Sequence, residues 1–392
     1  MNELKINNNI GKENWKFSDE IYYKLTGKTI SSQYNPSIPA IIKELPEKVA
    51  NKKIFALFWG SPTFKDVDCN YLFHTYDNSD IDYVISTSSG NTVEGLARAI
   101  KKYNPERNKN VKAILLVPEL SSFKVASSAI ENNPYIKYVV LKNSTLDSIR
   151  VFAAKLIEKM SGNYNVVSAD ADLKTAAYSQ IGLLLNQYKL MNDDTCFVQT
   201  VSGGVGPTGF IEAAWKLNVK PELLVIQPIN GNSAPTIDAL NDHTLGKDPI
   251  LTIKNGNYET SSIETTLGSS KPIYSVGRFV QWRENGGRIF GARVTEDELS
   301  QNKNKVLKIL IEAGIYPDLE LGQRFFELEK SGFIAFTGVF NSIKKIESKN
   351  IVINFTGRYL DPVSKFPEKA TPHIIFNPSD GIEKFLEVLK ID

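Results

Sequence analysis

Asp82-Tyr83-Val84-Ile85-Ser86-Thr87-Ser88-Ser89-Gly90-Asn91-Thr92-Val93-Glu94-Gly95-Leu96-Ala97 changes its hydrophobic period within a few residues. Asp82–Thr87 (DYVIST) reads as a buried strand, and Thr92–Tyr103 as an amphipathic helix whose apolar residues Val93, Leu96, Ala97 and Ile100 recur at helical spacing. The same alternation continues downstream. Strands at Val111–Val117, Ile136–Leu141 and Val166–Ser168 are separated by helices at Ser121–Asn132 and Leu146–Met160. A long helix over Leu173–Leu190 follows, then a strand at Thr195–Val201, a glycine-rich turn, a helix at Phe210–Leu217 and a strand at Leu223–Gln227. Strands spaced by helices of this length form β-α-β units, and hence parallel sheets. Asn230–Glu298, rich in Gly, Ser, Thr and Asn, reads as loops over a surface or a site. Helical periodicity returns at Asn304–Ala313 and Leu321–Lys330, and Asn350–Phe355 is the last buried strand. The expected class is α/β: two open, mostly parallel twisted sheets with flanking helices. Ligands in such folds sit off the carboxyl ends of the strands.

The chain has 392 residues, with 46 Lys+Arg against 44 Asp+Glu and 42% hydrophobic residues. That apolar fraction is enough for a large core and excludes disorder as the main state. A net charge of +2 with no basic block argues against nucleic acid as a partner. Cys69 and Cys196 stand alone, as do His74, His243 and His373, so no zinc-like spacing exists and a reducing compartment is expected. Met1–Asp19 lacks the apolar core of a signal peptide, and no run of 18 apolar residues occurs. The expectation is a soluble, cytoplasmic protein without a membrane partner. With three histidines in all, acid–base work falls to other groups.

Four short segments stand at strand ends. In Trp59-Gly60-Ser61-Pro62-Thr63-Phe64-Lys65-Asp66, Lys65 follows an apolar run. A desolvated amine there has a lowered pKa and can act as nucleophile and proton carrier, although a lysine at a helix start can equally be a surface group. Ser88-Ser89-Gly90-Asn91-Thr92 offers hydroxyls, an amide and backbone N–H groups at a helix N-terminus, an arrangement suited to a carboxylate or to simple capping. Ser202-Gly203-Gly204-Val205-Gly206-Pro207-Thr208-Gly209 lets consecutive N–H groups curl round a phosphate. It also matches G-x-G-x-x-G, but a dinucleotide site needs a carboxylate after the next strand, which ends in Gln227-Pro228-Ile229-Asn230. A bare phosphate is favoured, with an NAD-binding oxidoreductase as the alternative. Finally, Thr356-Gly357-Arg358 follows the last strand, where a hydroxyl can bond a ligand or finish a turn.

In this order, an F-K-D lysine, an S-S-G-N-T loop, a G-G-x-G turn and a terminal T-G resemble the fold-type II pyridoxal-phosphate enzymes, the tryptophan synthase β-like superfamily. Within it the chain is most similar to the threonine synthase and cysteate synthase branch. Gly203–Trp215 (GGVGPTGFIEAAW) and Ile311–Ser331 look closer to cysteate synthase. The likeness spans roughly residues 55–365, with Asn230–Gly291 matching poorly.

The resemblance implies roles. Lys65 is the catalytic lysine that holds the cofactor. Ser88, Ser89, Gly90, Asn91 and Thr92 hold the substrate carboxylate, with the Asn91 amide near the cofactor's phenolic oxygen. Ser202, Gly203, Gly204, Val205 and Gly206 cradle the cofactor phosphate, and Thr356 faces the pyridine nitrogen. It further implies a large cofactor-binding lobe of residues 1–81 and 169–392, a smaller mobile lobe of 82–168 that closes over substrate, and a homodimer. The expected reaction is β-replacement, with O-phospho-L-serine and sulfite giving L-cysteate and phosphate. A γ-replacement on O-phosphohomoserine is the alternative, and Arg358, Arg283 and Arg293 are candidate anion-binding cations.

Overall fold

The computed structural model describes residues 8–10, 12–46, 48–59, 63–88, 90–229, 234–256, 258, 263–264, 267–269, 271–357 and 368–390, which fall into two compact units. Residues 1–29, 36–64 and 171–364 make the first, and 30–35, 65–170 and 365–392 the second.

The first unit holds β1 (Asn8–Ile10), α1 (Lys12–Thr26), β2 (Ile38–Glu44) and β3 (Lys53–Trp59) from the N-terminal part. It continues with α6 (Ala171–Tyr178), α7 (Gln180–Gln187), β8 (Thr195–Thr200), α8 (Val205–Leu217), β9 (Glu222–Pro228), α9 (Pro235–Thr244), α10 (Pro249–Asn255), α11 (Ile273–Glu284) and β10 (Ile289–Val294). It ends with α12 (Glu296–Glu312), α13 (Leu319–Leu328), α14 (Ser331–Ser342) and β11 (Asn350–Phe355). Seven strands form one sheet in the order β1-β2-β3-β11-β8-β9-β10. Pairing is antiparallel at β1–β2 and β2–β3 and parallel from β3 to β10. The interior strands are apolar on both faces, with Ile351–Ile353, Phe197, Val198 and Leu223–Ile226 fully buried. That is what a parallel sheet covered by helices on both sides requires.

The second unit holds α2 (Lys65–Thr75), β4 (Tyr83–Thr87), α3 (Asn91–Tyr103), β5 (Lys112–Pro118), α4 (Ser127–Ile130), β6 (Ile136–Leu141), α5 (Leu146–Met160), β7 (Val166–Val167), β12 (Ile374–Phe376) and α15 (Ile382–Leu389). Its five strands lie in the order β12-β6-β5-β4-β7, all parallel. One face is packed by α5 and α15, where Phe152 meets Phe385 edge-on at 5.1 Å within a cluster that includes Ile85, Leu116, Val139, Leu156 and Phe376.

The two-sheet α/β class is as expected, and several elements are not. Helix α2 and the β12–α15 segment belong with the five-stranded sheet, although the sequence reading placed residues 65–81 and the C-terminus in the large lobe. The expected helix Leu173–Leu190 is divided into α6 and α7 at Ser179, whose hydroxyl donates to the Ala176 carbonyl at 2.6 Å. The expected helix Ser121–Asn132 is a 3-10 turn over Glu119–Lys124 followed by the short α4. Val125 and Ala126 between them are extended, because the Ala126 N–H goes to Glu94 and the Val125 carbonyl accepts from Ala370. Asn230–Glu298, read as loops, contains α9, α10, α11 and β10. Among the described residues no helix is long and apolar enough to cross a membrane.

Phe152→Ala should lower the unfolding free energy by about 3–5 kcal/mol, since it empties the α5–α15 contact. Chemical denaturation followed by far-UV circular dichroism measures this.

Candidate active site

In the second unit, Lys65 is the first residue of α2 and is partly buried. Its setting comes from the packing of α2 against α3. A Cβ at Gly95 would lie 2.9 Å from the Lys65 carbonyl oxygen and 3.1 Å from Cys69 Sγ, so only glycine admits this approach. Buried polar groups fix the register. Arg98 of α3 donates through Nε and Nη2 to Asp66 Oδ1 at 3.2 and 2.7 Å and lies 3.5 Å from Glu94 Oε2. Burial opposes the Arg98 charge, but Asp66 and Glu94 outweigh it and raise the guanidinium's pKa above its ordinary value. Asn70 Nδ2 donates back to the Asp66 carbonyl at 2.7 Å.

Ser88 and Gly90–Thr92 follow β4 in the same unit. Ser88 is buried, and its hydroxyl accepts from the Gly90 and Thr92 N–H groups at 3.1 and 3.2 Å. Gly90 sits at φ 132°, ψ −63°, which a side chain would resist, and caps α3. Asn91 and Thr92 form the first turn and are half-buried. Ser89 lies outside the described residues. Ser88 thus shapes the loop before the 13-residue α3, and the Val93 N–H donates to the Gly90 carbonyl at 2.9 Å.

In the first unit, Ser202–Gly206 connects β8 to α8. Gly204 is left-handed (φ 74°, ψ 8°) and caps α8, whose first turn carries no acidic residue. The turn is clamped from below. Ser275 of α11 donates to the Gly203 carbonyl, and the Ser269 N–H donates to Ser202 Oγ at 3.2 Å. A Cβ at Gly204 would meet Ser275 Cβ at 2.7 Å, and one at Gly206 would collide with the Gln199 amide. Gly203, by contrast, faces open space. The first N–H groups of a helix lack intrahelical partners, and with open space beside Gly203 and no acidic residue in the first turn, this helix start suits an anion such as a phosphate. The helix begins at Val205, five residues before the expected Phe210, and so brings its N-terminus to the turn. Near the end of β9, Gln227 Oε1 accepts from the Thr236 N–H at 3.0 Å, and among the described residues there no carboxylate stands for a ribose.

Thr356 is half-buried just past β11 in this unit, and Gly357 is buried where a side chain would strike Glu329. Beside Gly357 lies a cavity of about 10 Å³ lined by Phe58, Tyr316, Glu329, Ser331 and Phe355 among others. Arg358 lies outside the described residues. Arg283 donates to the carbonyls of Leu240 and Ile289, and the exposed Arg293 pairs with Asp238, so both already have partners in their own unit.

Two buried amides were not anticipated. Asn354 is fully buried, donates to Gln199 Oε1 at 2.9 Å, and leaves its Oδ1 without a partner. The available signal was an amide inside each of the apolar runs NIVINF and TCFVQTV.

No protein family matches the chain, and no curated protein is similar to it. Solved structures are. Threonine synthase from Escherichia coli is 12% identical with a TM-score of 0.62, over 94% of this chain and 82% of that one. Serine racemase from Dictyostelium discoideum is 18% identical with a TM-score of 0.59, over 88% and 98%. A pyridoxal 5′-phosphate-dependent aspartate racemase is 17% identical with a TM-score of 0.58, over 88% and 95%. The chain shares their fold.

Gly204→Ala should cost about 1–2 kcal/mol from the left-handed backbone alone, before the Ser275 collision is added. Gly203→Ala should stay within about 0.5 kcal/mol, because its Cβ meets nothing within 4 Å. Thermal denaturation of the two variants checks the contrast.

Proposed function

We propose that the protein is a pyridoxal 5′-phosphate enzyme acting at the α- and β-carbons of a small amino acid. Its reaction on this reading is β-replacement, in which O-phospho-L-serine and sulfite give L-cysteate and phosphate. The observation that carries the cofactor assignment is the Ser202–Gly206 turn, an open, glycine-lined anion cradle at the start of α8 with no acidic residue in the helix's first turn. It is supported by the fold shared with a pyridoxal 5′-phosphate-dependent racemase and by the motif order in the sequence.

The N–H groups of Gly203–Gly206 would bind the cofactor phosphate, and Lys65 would hold its aldehyde carbon. When bound, the cofactor supplies an electron sink for the charge left at the substrate α-carbon. The Ser88–Thr92 loop binds the substrate carboxylate at the N-terminus of α3 and orients the α-hydrogen. Set free once the substrate amine takes its place on the aldehyde carbon, the Lys65 amine would take that proton as the Cβ–O bond breaks and phosphate leaves; sulfite would form the C–S bond at Cβ, and Lys65 would return the proton to Cα. Thr356 would face the ring nitrogen and offer a hydroxyl in place of a carboxylate counter-charge. This weakens the sink and favours loss of a good leaving group over transamination.

Purified protein should absorb in the visible, and borohydride should bleach the band and fix the cofactor to Lys65. Lys65→Ala should lose the fixed adduct and slow turnover by about 10²- to 10⁴-fold. Phosphate release from O-phospho-L-serine with sulfite supports β-replacement. Release from O-phosphohomoserine alone would move the reading to γ-replacement, and absence of any visible band, with nicotinamide binding instead, would overturn it.

A further inference from the structure

We propose that Gln199 belongs to the anion cradle at the start of α8 as a side-chain donor, and that its amide makes the cradle select a phosphate ester over the same molecule without its phosphate. The inference rests on the reading of the Ser202–Gly206 turn as a cofactor-phosphate site and adds a residue to it.

Gln199 lies one residue before the end of β8, among the buried apolar residues Cys196, Phe197 and Val198 of its own strand and Ile351–Ile353 of β11. It is only 5% exposed, and an amide so placed is costly unless both its ends are used. One end is used within the sheet. Ile353 lies opposite Val198 in the parallel pair, which sets Asn354 beside Gln199, and Asn354 Nδ2 donates to Gln199 Oε1 at 2.9 Å. That bond fixes which way the Gln199 amide faces, and it is kept although it leaves the fully buried Asn354 Oδ1 without a partner. The other end is turned to the start of α8. A Cβ at Gly206, the second residue of that helix, would come within 2.2 Å of Gln199 Nε2, against 3.0 Å for Cδ and Oε1. Among the described residues nothing accepts a hydrogen bond from Nε2.

Donors from two elements therefore meet at this turn. The first N–H groups of α8 lack intrahelical partners and carry the positive end of the helix dipole. The Gln199 amide reaches the same helix start from β8, and only the missing side chain of Gly206 admits it. A donor set against the positive end of a helix is repelled in the free protein, and an anion shared between the two makes the same arrangement favourable. No acidic residue stands in the first turn of α8 to play that part. The neighbouring hydroxyls are engaged within the turn, since Ser275 donates to the Gly203 carbonyl and Ser202 Oγ accepts from the Ser269 N–H. Gln199 Nε2 keeps its hydrogens for a ligand.

The test is binding of pyridoxal 5′-phosphate, pyridoxal and inorganic phosphate to the full-length, cofactor-stripped protein by isothermal titration calorimetry, for the native chain, Gln199→Met and Gln199→Glu. Methionine keeps the bulk beside Gly206 and removes the donor, whereas glutamate keeps the shape and turns a carboxylate towards the anion. Gln199→Met should weaken pyridoxal 5′-phosphate and inorganic phosphate by about 10- to 100-fold and change pyridoxal by less than about twofold. Gln199→Glu should weaken both phosphates further and again spare pyridoxal. A native chain that binds pyridoxal as tightly as its phosphate, equal losses for the two in Gln199→Met, or unchanged phosphate affinity in either variant would overturn the proposal. If neither variant folds, a structure of the native protein with inorganic phosphate decides. An ion within hydrogen-bond distance of Gln199 Nε2 supports the proposal, and an ion held by the N–H groups of the turn alone overturns it. Phosphate binding that depends on Gln199, with no adduct fixed to Lys65 by borohydride, would sink the cofactor reading and leave this one standing. A fixed adduct formed with equal affinity by the native chain and Gln199→Met would do the reverse.

Discussion

Strand β11 carries the seven-stranded sheet. It pairs in parallel with β3 from Asn350–Lys53 to Phe355–Phe58 and with β8 from Asn350–Thr195 to Ile353–Val198. The chain between β3 and β11 contains most of both units, so the sheet closes only when its last strand inserts between two earlier ones. Such pairing is non-local and demands a strand buried on both faces, which Ile351, Val352 and Ile353 supply. Its direction has a functional result. Because β3, β11, β8 and β9 all run the same way, the turns after β8 and β11 leave on one edge, and the Ser202–Gly206 cradle and Thr356 share that edge.

The cradle is rigid because it is packed, not because it is short. Gly204 admits Ser275 and Phe279 of α11, Gly206 admits the Gln199 amide from β8, and Gly209 admits α6, where a Cβ would come within 2.6 Å of the Tyr178 carbonyl carbon. Three elements therefore press on the start of α8 from three directions, and each contact exists only because a side chain is missing. An anion at this turn meets N–H groups whose orientation is already fixed, which lowers the ordering entropy of binding.

Much of this was legible in the sequence. The strands were found because buried parallel strands are short, nearly continuous apolar runs, and DYVIST, IKYVVL and NIVINF stand out between polar turns. The four segments were found because glycine and hydroxyl residues mark turns, and here each turn follows a strand. Two of the hidden parts share one cause, distance along the chain. The break of Ser121–Asn132 depends on Glu94 and Ala370, and the membership of β12 in the smaller sheet depends on pairing with β6. No local period encodes either. Helices α9 to α11 escaped because their Gly-, Asn- and Thr-rich surroundings weaken the apolar stripe, and α14 because Ser331–Ser342 is apolar all round, as a helix against four strands must be.

One pair of helices fixes both chemical elements of the second unit. Helix α3 begins in the Ser88–Thr92 loop, and one turn later Gly95 receives the Lys65 carbonyl. The Asp66–Arg98–Glu94 group locks the two helices in register, and Glu94 extends the lock to the turn that ends in Lys124. Such part-buried ion pairs add little net stability, because desolvation offsets the attraction, but removing one member strands a charge. A slip of α2 by one residue would break both Asp66–Arg98 bonds and drive Cys69 into α3. The position of Lys65 relative to the loop is therefore set by electrostatics and by one missing methyl group, and the apolar core needs only to supply the helices with a sheet to rest on.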